Sequence, residues 1–127
     1  LGVSGGRVTL PSRVLGSGIS GLSTVAICGD GQNNVVAAGT SAGDATQLVA
    51  VMTSVNTTPS GSGVKLSKAE TGALVFISNS GANSLTVYPQ TGDTINNTTS
   101  AVIAQNYSSL YFGIENSGWY SLNGQRS

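Results

Sequence analysis

The sequence predicts an all-β fold: a compact antiparallel β-sandwich or barrel-like module with an extended, glycine-rich N-terminal arm. Short apolar runs, many rich in β-branched or aromatic residues, recur every ~8–12 residues with turn residues between them. Glycine contributes 18 of 127 residues, and Ser, Thr and Asn fill most of the polar positions. Helical spacing appears in one stretch, from Asp44, where it competes with an extended reading. The length suits one domain, divided into residues 1–36, arm and first strands, and residues 37–127, the β-rich module.

The chain is clearest between Gly63 and Asp93. Leu74-Val75-Phe76-Ile77-Ser78 and Ser84-Leu85-Thr86-Val87-Tyr88 are strand sequences, the second alternating polar and apolar. Asn79-Ser80-Gly81-Ala82-Asn83 between them has turn composition, so the segment predicts a β-hairpin. Pro89 cannot donate to a ladder and ends the second strand or places it on an edge.

Upstream, residues 1–23 show no helix period and little to build a core with. Val8, Leu10, Val14 and Leu15, flanked by Arg7 and Arg13, suit an arm lying on a neighbouring molecule. Thr24 to Cys28 is a strand candidate, and Cys28 within it reads as a small buried hydrophobe. Residues 29–34 read as a turn, Val35 to Ala38 as a short strand and residues 39–43 as a loop. From Asp44, Ala45, Leu48, Val49 and Met52 fit a helix with Asp44 as N-cap. Leu48 to Val55 also fits a strand, which the β-rich surroundings favour. Gly63 to Leu66 is a strand.

Downstream, Thr94-Ile95, Ala101 to Ala104, Ser108 to Ile114 and Trp119 to Leu122 are strands. Leu110, Phe112 and Ile114 share a face. Glu115-Asn116-Ser117-Gly118 is a hairpin turn. No repeat of fixed period is visible, so a solenoid is not expected. The expected core and subunit interface comprises Leu85, Val87, Leu110, Phe112 and Trp119.

Charge bounds the function. Charged residues are 8 % of the chain, against ~25 % in an ordinary domain. Such depletion fits an ordinary all-β domain with a neutral polar surface or, the favoured reading, a surface covered by partner subunits. Arg7, Arg13, Lys65, Lys68 and Arg126 are scattered and offset by five acidic residues, so no direct nucleic-acid partner is expected. No apolar run is long enough to span a membrane, and no secretory leader pattern opens the sequence. The lone cysteine forms no internal disulfide, which fits assembly in a reducing cytoplasm.

Without histidine, a Ser-His-Asp triad, a Cys-His pair and a histidine-bound metal are excluded. The five carboxylates form no recognisable catalytic pair; no enzymatic activity, cofactor or metal is expected. Asp30 with Asn33 and Asn34 is a calcium alternative with few carboxylates. Gly16, Gly18 and Gly21 match G-x-G-x-x-G but open no helix, and a glycine-rich chain produces such a match by chance. Asn56-Thr57-Thr58 and Asn97-Thr98-Thr99 match the glycosylation triplet equally freely.

Asn79-Ser80-Gly81-Ala82-Asn83-Ser84-Leu85-Thr86-Val87-Tyr88-Pro89, followed by Gly92-Asp93-Thr94-Ile95-Asn96 and finally Trp119, resembles a β-module of tailed-bacteriophage structural proteins. The resemblance covers roughly residues 37–122 and extends to capsid decoration (cement) proteins and to modules of head or tail fibres. It implies a virion protein on the outer capsid surface, commonly a homotrimer, whose partners are the major capsid protein and further copies of itself. In that setting Arg7, Val8, Leu10, Arg13, Val14 and Leu15 would form the capsid-contact arm. A fibre module binding a host receptor is the alternative; an enzyme acting on surface glycan is a third.

Overall fold

In the computed structural model, which describes residues 30–125, successive strands pass back and forth between two sheets. They are β1 (Gly31–Val36), β2 (Thr46–Gln47), β3 (Met52–Thr57), β4 (Gly63–Lys65) and β5 (Leu74–Asn79). There follow β6 (Leu85–Tyr88), β7 (Thr94–Ile95), β8 (Ala101–Ile103), β9 (Tyr107–Glu115) and β10 (Gly118–Gln125). No helix occurs among the described residues. The larger sheet has the order β1-β3-β5-β9-β10-β7 and the smaller β2-β4-β6-β8.

The pairing is parallel where the chain winds. β1, β3 and β5 stack in one sheet while β2, β4 and β6 stack in the other. Each pair of strands is one turn of a solenoid-like coil. The all-β expectation holds; the expectation against a solenoid does not. Gly31 pairs with Met52 and Met52 with Phe76, offsets of 21 and 24 residues; Thr46 pairs with Val64 and Val64 with Val87, offsets of 18 and 23. The winding therefore leaves no fixed period in the sequence. β9 ends it by pairing antiparallel with both β5 and β10. The expected β9–β10 hairpin is present.

The hairpin expected between β5 and β6 is absent. β5 lies between β3 and β9, and β6 between β4 and β8, so residues 80–84 form an arch from one sheet to the other. Asn79 sets the corner. Its fully buried amide donates to the carbonyls of Asn83 (2.9 Å) and Ile103 (3.0 Å). Its Oδ1 accepts from Thr58 Oγ1 (2.9 Å) and Gly81 N–H (3.1 Å). Gly81 is packed so tightly that a β-carbon there would lie 2.2 Å from Thr58 Oγ1. Turn composition at 79–83 fits an arch as well as a hairpin, because both need closely approaching backbone and side-chain capping.

Two further readings change. Residues 31–34, expected in a turn, belong to β1, where Asn34 adopts φ 59° and the register slips between Gln32 and Val35. Asparagine tolerates this left-handed conformation, so the turn residues become a bulge. β1 thus belongs to the larger sheet, and Val35 enters the core. From 48 to 51 the chain rounds a corner, and the strand begins at Met52. The helical alternative does not form: Asp44 Oδ1 accepts from the Thr40 (3.0 Å) and Ser41 (2.8 Å) N–H groups, capping a turn. These bonds hold its carboxyl below the usual range, the Ser41 backbone bond most strongly.

The core lies between the sheets. Val35, Val55, Val75 and Ile77 face inward from the larger sheet, and Val64, Leu85, Val87 and Ile103 from the smaller. Leu66, Ile95, Tyr111 and Trp119 complete it. Trp119 stands opposite Gly113 in the β9–β10 ladder. A β-carbon on Gly113 would lie 2.0 Å from the Glu70 carbonyl, so this position admits glycine alone without a shift of backbone.

Candidate functional site

Strand alternation separates the predicted residues into two groups. Leu85, Val87 and Trp119 are fully buried in the core. Leu110 and Phe112, expected to be buried with them, are half-buried on the other side of the larger sheet. The core-facing residues of β9 are Ser109, Tyr111 and Gly113. Leu110, Phe112 and Ile114 do share a face, as expected, but that face points outward. Three apolar residues in alternation mark a face without saying which side of the sheet it occupies. Arg7, Val8, Leu10, Arg13, Val14, Leu15 and Cys28 lie outside the described residues.

The outward face is built by register. Met52 of β3 pairs with Phe76 of β5, Phe76 with Leu110 of β9, and Leu110 with Leu122 of β10. Beside this row runs a second, Leu74–Phe112–Tyr120. A third, Ser54–Ser78–Ser108, is polar. Directly opposed residues on neighbouring strands project to the same side, so these rows are contiguous. Leu122 is 63 % exposed and Ile114, at one end, 57 %. No charged residue belongs to the three rows. Phe76 and Met52 were legible as strand residues, but their union with Leu110 and Leu122 depends on the β3–β5–β9–β10 order, which the sequence does not carry.

The smaller sheet differs. Thr86, Tyr88 and Lys65 point outward from it, and the Tyr88 hydroxyl donates to the Thr40 carbonyl at 3.0 Å. Lys65 gives this face a charge, and Val102 is its exposed apolar residue.

One buried carboxylate ties the loops together. Asp93 accepts the Ala69 N–H through Oδ2 at 2.8 Å and pairs with Lys68 through Oδ1. Lys68 also donates to the Asn116 carbonyl at 2.9 Å. The arrangement pins the 67–72 loop to the β7 and β9–β10 turns and satisfies the carboxylate. Asp93 is thus a backbone cap.

A hollow of about 510 Å³ lies between the corners at 48–51 and 66–67, and Asp30 and Trp119 help to line it. Its lining is mainly apolar. Among the described residues no group of three or more His, Cys, Asp or Glu side chains comes together, and no helix is long and apolar enough to cross a membrane. No family model matches the chain, and no curated protein or solved structure matches it significantly.

Proposed function

We propose that this chain is a structural protein of a tailed-phage virion, a decoration or cement protein that self-associates, as a homotrimer, on the outside of the head and strengthens contacts between capsomers. The observation that carries the proposal is the uncharged, largely apolar outward face of the larger sheet, on a chain with 8 % charged residues. The largest apolar patch on a protein of this kind often marks a contact site. The resemblance of residues 79–96 to virion β-modules supports the same setting. In this reading function is mechanical: the fold supplies a rigid, cross-linked body, and many modest contacts repeated over a shell add up to a large resistance to internal pressure. The segment preceding β1 supplies the capsid contact by strand addition, in which backbone hydrogen bonds give affinity.

Co-sedimentation of the purified chain with empty heads assembled from the cognate major capsid protein tests the proposal. Saturable binding in hundreds of copies per head, with heads surviving higher temperature, is expected. Absence of binding, or a copy number of a few per particle, would overturn the cement role, and the low copy number would favour a fibre module.

A further inference from the structure

We infer that the outward face of the larger sheet is where copies of this chain meet one another, with the rows Met52–Phe76–Leu110–Leu122 and Leu74–Phe112–Tyr120 at the centre of the contact. The inference rests on the proposed self-association and names its surface.

The face carries the signature of a strand surface that is covered on both sides. Leu74-Val75-Phe76-Ile77 is a continuous apolar run, the pattern of a strand with no solvent-facing side. Val75 and Ile77 account for one side, in the core. Leu74 and Phe76 require a cover on the other.

The chemistry of the face selects a second copy as that cover. Its rows contain no ammonium, guanidinium or carboxylate, so bringing two identical faces together creates no like-charge contact. Its polar side chains are the hydroxyls of Ser54, Ser78, Ser108 and Tyr120, each both donor and acceptor. A hydroxyl-bearing surface is self-complementary in a way that a surface of one charge sign is not. Four strands ~4.8 Å apart and about five residues long give a footprint of roughly 300 Å². That area is the size of an interface centre and is smaller than the ~800 Å² per partner of a standard contact. Rim residues such as Ile114 therefore have to join the contact for it to reach a standard area. The smaller sheet, with Lys65 outward and Tyr88 engaged, lacks these properties.

Sedimentation equilibrium of the wild-type chain and of Leu110→Lys, Leu122→Lys and Val102→Lys tests this, with urea unfolding of each variant as a check on folding. Leu122 and Val102 are 63 % and 59 % exposed, so lysine at either is tolerated by the single chain. Leu110→Lys and Leu122→Lys are expected to weaken self-association by about a hundredfold or more, because each would bury an unpaired ammonium at every copy of the contact. Val102→Lys is expected to leave it unchanged. Unaltered self-association of folded Leu122→Lys would overturn the inference. So would a wild-type chain that stays monomeric, while head binding by that monomer would leave the virion role standing. An oligomer sensitive to Leu122→Lys that fails to bind heads would support the interface and count against the virion role.

Discussion

Tyr111 and Asn79 show how single residues fix this fold. Burial pushes the Tyr111 hydroxyl from 10.0 up to about 12, against a smaller opposing effect of Ser109. Below pH 10 the folded and unfolded chains both keep the phenolic proton. Between 10 and about 12 the unfolded chain has released it and the folded chain has not, so stability falls as pH rises, by up to about 3 kcal/mol. Tyr111→Phe is expected to remove that part of the slope, which urea midpoints compared between pH about 9 and about 11 would reveal. Asn79 holds acceptors and donors from three segments at once. Asn79→Ala leaves several of them buried without partners and is expected to cost about 3 kcal/mol or more in urea unfolding at neutral pH. A cost below about 1 kcal/mol would show that the arch does not depend on this amide. Trp119 Nε1 is buried without a hydrogen-bond partner among the described residues. Trp119→Phe therefore forfeits volume and no hydrogen bond to any of them, and is expected to cost less than the ~3–5 kcal/mol of truncation to alanine.

At the scale of elements, the sequence revealed strands better than their partners. β4, β6, β8, β9 and β10 lie close to where alternation and β-branched runs placed them, and the Asn116-Ser117 turn closes the hairpin it was expected to close. The connection after Asn79 differs from the expected hairpin because Asn, Ser and Gly serve a hairpin and an arch alike; the partners of β5 are β3, more than twenty residues upstream, and β9, thirty or more downstream. Parallel winding was hidden because the coils differ in length, which removes the fixed spacing that normally betrays a solenoid. Gly113 gives an element-scale test. Its N–H donates to the Ala73 carbonyl (2.8 Å) and its carbonyl accepts from Gly72 N–H (2.7 Å), locking β9 to the loop before β5. Gly113→Ala drives a methyl group into the Glu70 carbonyl. It is expected to destabilise by about 2 kcal/mol or more, read from chemical denaturation. Gly72→Ala, with open space around it but φ 90°, is expected to cost less than Gly113→Ala.

For the whole molecule, the composition already pointed outward. Five acidic and five basic residues, and apolar side chains on both faces of β5, are what the proposed self-association calls for. The candidate surface was half legible. Leu110 and Phe112 were singled out, and their shared face with Ile114 was evident from alternation. That this face lies away from the core, and continues across β5 and β3 to Phe76 and Met52, depends on sheet order. Tyr111, flanked by both, is the core residue that two-residue periodicity leaves ambiguous, since the run Leu110-Tyr111-Phe112 is apolar on either reading. Self-association links the proposed interface to the proposed virion role, and light scattering during size exclusion measures it most directly. A mass near three times 12.7 kDa is expected. A mass of 12.7 kDa at every concentration tested would contradict it.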